Sequence, residues 1–186
     1  MRIIGGEARG RQIRLPRGCR IRPTADRVKE SLFAILYSLE GSGFLDVFAG
    51  SGNVGLEALS RGARSAVFVE KDPRLADAIR SNLELLGFEN RAEVIKADAE
   101  RGIRGLVKRA ELFDVLFADP PYDGGFVPEF MKWLEGGNLL AKNGIVVLQH
   151  SVREALEGSC PQALVVADQR RYGDTVLSFL KNRAEE

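Results

Sequence analysis

Two spacings of apolar residues alternate along the chain. Short, mostly apolar runs read as strands at GFLDVF (43–48), SAVFVE (65–70), AEVIKAD (92–98), LFDVLFAD (112–119) and GIVVLQH (144–150). Between them, apolar residues recur every three or four positions, the spacing of a one-sided helix. This predicts helices over 52–62, 72–87 and 99–109 and around Phe126–Leu134, with another over 22–39 ahead of the first strand. In the first helix, Val28, Leu32, Ile35, Leu36 and Leu39 fall on one face. In the 72–87 helix, Asp72 reads as the N-cap, Pro73 as the first turn and Gly87 as the C-cap, with Leu75, Ile79, Leu83 and Leu86 facing the core. Gly102 and Gly105 weaken the 99–109 helix. The chain closes with two strands, 163–171 and 174–181, joined near Tyr172-Gly173-Asp174 with no room for a helix between them. Repeated strand–helix units imply an α/β fold, a mostly parallel sheet with helices on both faces. The closing pair must be a hairpin, so one edge of that sheet is antiparallel.

Composition fits one soluble globular chain: 45% of its 186 residues are hydrophobic and 28% charged. No apolar run is long enough to span a membrane, and the start MRIIGGEARGRQ lacks a signal-peptide core. Cys19 and Cys160 have no metal-binding or redox spacing, which points to a reduced, cytoplasmic protein in which neither is functional. Charge changes the picture at one end. Residues 1–22 carry seven arginines (Arg2, Arg9, Arg11, Arg14, Arg17, Arg20, Arg22) against one acid, Glu7. The whole chain is only +1, so a +6 segment precedes a −5 remainder. We read 1–22 as a basic hairpin of two short strands around GGEARGRQ, appended to a domain over 23–186. Arginine without lysine suits phosphates and base edges, so the implied partner is nucleic acid. The plainer alternative is a solvated basic hairpin.

The candidate chemistry stands where the strands end, since ligands of such sheets bind beyond the carboxyl ends. After the first strand, DVFAGSGNVG places Gly50, Gly52 and Gly55 in a G-x-G-x-x-G spacing that lets backbone approach a ligand. Glu70 closes the second strand, where a carboxylate can accept from a ribose diol. These two features alone fit any nucleoside cofactor, a dinucleotide included. Asp46 narrows the choice: an acid four residues before Gly50 disfavours a pyrophosphate and suits a cofactor with a cationic amino group. Asp98 can accept from an adenine amine or cap the following helix. The fourth strand ends in Asp119-Pro120-Pro121-Tyr122. Prolines cannot continue a central strand. The Asp119 carboxylate and the Pro120 carbonyl could accept hydrogen bonds from a nucleobase amine and favour its pyramidal, nucleophilic form. Tyr122 offers a ring for stacking on an extruded base. The plainer alternative is a proline-rich exit loop with a solvated acid.

DVFAGSGNVGLEAL together with FADPPY resembles the class I S-adenosylmethionine-dependent methyltransferases that act on amino groups. MRIIGGEARGRQI…RPTADRVKESLF is similar specifically to the bacterial 16S ribosomal RNA (guanine-N2)-methyltransferases, the RsmD family. The resemblance covers nearly the whole chain. It implies a Rossmann-like, seven-stranded sheet and S-adenosyl-L-methionine as cofactor. Asp46 and the Gly50–Gly52 loop would hold the methionine part, Glu70 the ribose and Asp98 the adenine, with Phe48, Lys71 and Ala99 counted in the same set. Arg22, Pro23, Thr24 and Arg27 would lie near the cofactor and substrate entrance. Asp119, Pro120, Pro121 and Tyr122 would grip the guanine N2 amine, with direct transfer and no metal. Arg9, Arg11, Arg14 and Arg22 would bind the RNA of the small ribosomal subunit, and the protein would act as a monomer.

Three rivals remain on sequence grounds. A DNA adenine enzyme would need a target-recognition insert that 186 residues leave no room for. An NAD-dependent oxidoreductase leaves Asp46 and the D-P-P-Y exit unexplained. A non-catalytic RNA-binding assembly factor fits the arginines but not the intact motifs. His150, the only histidine, reads as a structural or surface residue rather than a base. Trp133, Phe126 and Phe130 read as core, and Asp123 as a turn residue.

Overall fold

The computed structural model describes residues 1–16, 18, 26–122, 124–154, 156 and 158–183. It has seven strands in one sheet, ordered β3-β2-β1-β4-β5-β7-β6. The α/β expectation with an antiparallel end hairpin therefore holds. The chain resolves into two compact units, Met1–Ala99 and Glu100–Glu186.

In the first unit, α1 (Asp26–Leu36) buries Val28, Lys29, Leu32 and Phe33. Residues 22–25, where its start was expected, lie outside the described residues. It ends short of Leu39 because Tyr37 takes a left-handed φ of 58°. Leu39 is still buried just beyond. β1 (Gly43–Val47) leads to α2 (Asn53–Ser60), every residue of which is buried. β2 (Ser65–Glu70) leads to α3 (Pro73–Leu86). Asp72 caps α3 by accepting from Arg74 N at 2.8 Å, and Gly87 closes it with a left-handed φ of 77°, as the sequence predicts. Leu75 is only half-buried; the packed face is Ala76, Ile79, Asn82, Leu83 and Leu86. β3 (Ala92–Lys96) ends before Asp98. β1 pairs parallel with β2, and β2 with β3. Their carboxyl ends therefore share one edge of the unit.

The basic N-terminal segment keeps one antiparallel bridge, Arg2 opposite Gln12, rather than two full strands. Further backbone bonds close the segment on itself (Ile3 N to Arg11 O, Gly10 N to Ile3 O and Ile13 N to Met1 O), and others tie it to the rest of the unit. Glu7 N donates to Ser60 O (2.8 Å) and Ala8 N to Ser60 Oγ (2.9 Å). Arg14 exchanges two 2.9 Å bonds with the buried Asn82 amide, and Ile3 and Ile13 sit in the core.

The second unit begins with α4 (Ala99–Lys108), whose first residue belongs to the first unit. It forms despite Gly102 and Gly105 because Ile103 and Leu106 are buried. That burial offsets a glycine cost of about 1 kcal/mol each. β4 (Phe113–Ala118), α5 (Phe126–Glu135), β5 (Leu140–Ser151), β6 (Leu164–Tyr172) and β7 (Thr175–Asn182) follow. α5 buries Val127, Phe130 and Met131, whereas Phe126 and Trp133 are half-buried, so only Phe130 of the expected aromatic trio is core. β5 starts earlier than the sequence pattern predicts, with a register shift between the pairs Phe113–Leu140 and Val115–Ile145. β4 and β5 are parallel; β7 is antiparallel to both β5 and β6. β6 therefore runs with β4 and β5. The end of β4, the end of β5, and the β6–β7 turn lie at the same end of this unit.

Candidate active site

Three loops meet at the carboxyl edge of the first unit. Asp46 is 2% exposed, and its Oδ2 accepts from Gly55 N at 2.9 Å. Gly55 is the third residue of α2, whose N-cap, Gly52, offers no side-chain acceptor. Asp46 thus satisfies a donor that the helix start leaves open. It also sets a carboxylate at the helix's positive end. A Cβ on Gly55 would lie 2.3 Å from the Phe68 ring and 3.1 Å from Asp46 Oδ2, so only glycine fits here. Phe48 carries a left-handed φ of 61°, unusual for a bulky residue, at the loop where a ligand would approach.

Glu70 is buried and holds two loops at once. Its Oε2 accepts from Gly50 N and its Oε1 from Asp72 N, both at 2.7 Å. A carboxylate has about four acceptor sites, so these two bonds leave capacity for a diol. Lys71 is exposed beside it. Asp98 is exposed in the N-cap position of α4, and Ala99 is buried. The donor set fits a nucleoside carrying a cationic amino-acid end: a buried acid at Asp46, a glycine loop with close backbone approach, and a bridging acid at Glu70. Arg27 is exposed on α1. Arg22, Pro23 and Thr24 lie outside the described residues.

In the second unit, β4 ends at Ala118, and Asp119 to Tyr122 leave the sheet. Asp119 is half-buried, Pro120 buried, Pro121 exposed and Tyr122 half-buried. The Tyr122 hydroxyl lies 3.1 Å from Thr175 Oγ1 and accepts from Gln149 Nε2 at 3.4 Å. Gln149 and Thr175 are themselves buried on β5 and β7. The ring is thus tethered at its far end while its root follows the proline pair. Sequence reasoning missed both anchors, since neither belongs to a motif.

The arginines of the N-terminal segment divide. Arg9, Arg11 and Arg14 are exposed, but Arg11 Nη2 also donates to Leu85 O at 2.5 Å, so Arg11 helps to hold the segment against α3. Arg2 sits 4.0 Å from Asp26. Arg17 and Arg20 lie outside the described residues.

A buried polar node was also missed. Lys29 and Glu57 side chains are both 0% exposed and meet at 3.2 Å. Glu57 also accepts from Ile4 N (2.8 Å), Gly5 N (2.7 Å) and Arg61 Nε (2.8 Å). Lys29 donates further to Arg2 O (2.9 Å) and Asn53 Oδ1 (2.8 Å). Burial pulls the Lys29 ammonium below its usual range, and the Glu57 charge opposes this only in part. The node ties the N-terminal segment to α1 and to the helix that follows the glycine loop.

His150 is buried, which leaves the structural reading and removes the surface one. Its Nδ1 faces Ser151 O at 2.9 Å and its Nε2 faces Ser178 Oγ at 2.8 Å. A carbonyl only accepts, so Nδ1 carries the proton and Nε2 accepts from the serine hydroxyl. Burial lowers its pKa below the usual 6.5. Burial raises the Cys160 thiol, which is free, while Cys19 and Asp123 lie outside the described residues. Among the described residues, no cluster of metal-ligating side chains occurs, and no helix is long and apolar enough to cross a membrane.

Residues 1–181 match the model of the family described as conserved hypothetical protein 95. The ribosomal RNA small subunit methyltransferase D of Escherichia coli (strain K12) is 36% identical over 157 residues, 84% of this chain and 77% of that protein. Its namesake from Haemophilus influenzae is 36% identical over 151 residues, 80% and 78% of the two chains. A solved hypothetical protein of Thermus thermophilus has a TM-score of 0.82 at 32% identity, covering 97% of this chain and 99% of that one. With this match over nearly its full length, and with the Rossmann-like sheet of class I methyltransferases, the chain belongs to the conserved hypothetical protein 95 family of RsmD type.

Proposed function

We propose that this protein methylates the exocyclic N2 amine of a guanine in 16S ribosomal RNA. When bound, S-adenosylmethionine supplies a methyl group on a positively charged sulfur. The first unit offers the binding groups. Asp46, 2% exposed, would take the cationic amino end, and the α2 N-terminus the cofactor's carboxylate. Glu70, already holding Gly50 N and Asp72 N, would accept from the ribose diol with its remaining lone pairs. Asp98, Phe48, Lys71, Ala99, Thr24 and Arg27 complete the proposed cofactor set.

The observation that carries the reading is the exit of β4. Asp119 can accept one amine hydrogen and the Pro120 carbonyl the other. Pro121 supplies no amide hydrogen to that carbonyl's surroundings and limits its movement. Drawing both hydrogens out of the base plane frees the nitrogen lone pair, which otherwise delocalises into the ring. The Tyr122 ring, tethered through Gln149 and Thr175, supplies a stacking surface at fixed position. No covalent enzyme intermediate is required. Arg9, Arg11, Arg14 and Arg22 are proposed to contact RNA phosphates, in a monomer that needs no metal.

Methyl transfer from labelled S-adenosylmethionine to unmethylated small subunits, naked 16S RNA and DNA, run in parallel, tests this. Label recovered as N2-methylguanine in RNA is the expected result. Label only on DNA, or on none of the three, refutes the substrate assignment.

A further inference from the structure

Strand register places more around Tyr122 than its two anchors. Thr175 of β7 pairs with Ser151 of β5 on one side and with Tyr172 of β6 on the other. The next row is Gln149, Leu177 and Arg170. Directly paired residues share a face of a sheet, as do residues two apart on one strand. Gln149, Thr175, Tyr172 and Arg170 therefore face the same way, and the Tyr122 hydroxyl rests on Gln149 and Thr175 of that face. Tyr172 stands one strand beyond Thr175, an offset of about 5 Å. Arg170 stands two residues before it, toward the sheet interior. His150, Ser178 and Gln169, bonded to one another, occupy the opposite face.

The chemistry of this row suits single-stranded RNA. Tyr172 is a half-buried aromatic paired with Thr175, the residue that meets the hydroxyl of the half-buried Tyr122. The Arg170 side chain is 56% exposed, and Asp168 Oδ2 holds its Nε and Nη2 at 2.9 Å. That contact fixes the plane of the guanidinium and leaves Nη1 on another edge. Arg171, on the other face, donates Nε to Gly173 O at 2.9 Å. Arg153, Glu154, Asp168 and Asp174 flank the same end, so acids and bases here roughly balance. Attraction by net charge is therefore not the device. A ring with an oriented guanidinium is, and single-stranded RNA bases are read by stacking on such groups.

We propose that Tyr172 and Arg170 form a subsite for the nucleotide adjoining the methylated guanine, Tyr172 stacking on its base and Arg170 meeting its phosphate. The proposal rests on the reading of Tyr122 as the guanine platform. Its test measures methyl-transfer kinetics and, separately, cofactor-free binding of a guanine-containing single-stranded oligoribonucleotide by anisotropy. Loss of one base stack predicts that Tyr172→Ala raises both the RNA KM and the Kd about tenfold, with kcat within about twofold. Tyr172→Phe keeps the ring and should restore both. Arg170→Ala should raise Kd a few-fold and reduce the salt slope by about 0.7, the value for one phosphate on a single strand. Unchanged RNA affinity in Tyr172→Ala overturns the subsite, and so does an equal loss in Tyr172→Phe. S-adenosylhomocysteine affinity and melting temperature, unchanged in all variants, exclude misfolding as the cause. If the wild-type protein transfers no methyl to ribosomal RNA, the guanine assignment fails by itself, and the oligonucleotide arm still decides whether Tyr172 and Arg170 bind RNA.

Discussion

Replacing Glu57 by Gln probes the node beneath the glycine loop at nearly constant shape. Glu57 accepts from four donors and is 0% exposed. The amide keeps one oxygen and turns an NH2 toward donors that cannot accept from it. Lys29, also 0% exposed, loses its carboxylate. Removing one partner of a buried pair costs about 3–5 kcal/mol. An orphaned Ile4 or Gly5 amide would by itself cost about 1–3 kcal/mol. The two do not add in full, because Lys29, already pulled down by burial, can release its proton. We expect a loss of about 3–5 kcal/mol, or about 6–20 °C in melting temperature for a chain of this size. Urea denaturation and thermal melts measure it. Lys29→Met added to Glu57→Gln should recover part of the loss, since the uncompensated charge is then gone. Lys29 also signs the alkaline limb. Its folded pKa lies below the unfolded 10.5, so the unfolded chain binds more protons between those values and stability rises with pH there. Lys29→Met should flatten that rise. A Glu57→Gln variant within about 1 kcal/mol of wild type, with no coupling to Lys29, would refute the reasoning.

Four further outcomes are expected. Asp119→Ala should abolish methyl transfer while leaving S-adenosylhomocysteine affinity, measured by titration calorimetry, nearly unchanged; wild-type turnover would remove its proposed role. Gly55→Ala gains about 1 kcal/mol of helix propensity but drives a Cβ to within 2.3 Å of the fully buried Phe68 ring. Overpacking of about 1–3 kcal/mol should win, read as a lower urea midpoint with unchanged m-value. His150 is neutral when folded, with a pKa below 6.5, so stability is present above that value and falls as pH drops through it. The melting temperature of His150→Gln should therefore fall less between pH 7.5 and 5 than that of wild type. Replacing Arg9 and Arg14 together should weaken RNA binding and reduce its salt slope by about 1.5, with Arg11 left in place because it also holds Leu85 O. An unchanged slope would mean that these side chains do not touch phosphate.

What could be read from the sequence and what could not divide along a physical line. Strand-end chemistry is local: Asp46, the glycine loop, Glu70 and Asp119–Tyr122 each announce themselves within a few residues. Asp72 and Gly87 mark α3 at both ends for the same reason. What sequence hid was set by partners far along the chain. Lys29 lies beside Val28 at the edge of the apolar face of α1, where a lysine gives no local sign of full enclosure; Glu57, 28 positions on, with Asn53 and the Arg2 carbonyl, receives its ammonium. Glu57 in turn looks like an ordinary exposed acid unless α2 is known to be buried on every side. Tyr122 was legible as a ring, but Gln149 and Thr175, which tether it, come from strands 27 and 53 positions away. The same logic separates the three glycines of the loop. Gly50 gives a backbone donor to Glu70, and Gly52 supplies a left-handed turn of φ 71°. Gly55 makes no left-handed turn; its amide donates to Asp46, and it is small because Phe68 and Asp46 already fill the space where its side chain would go. A motif thus records close approach without saying to what. At Gly55 the approach is to the protein's own strands, and the acid that occupies that space is the one proposed to receive the cofactor's cationic end.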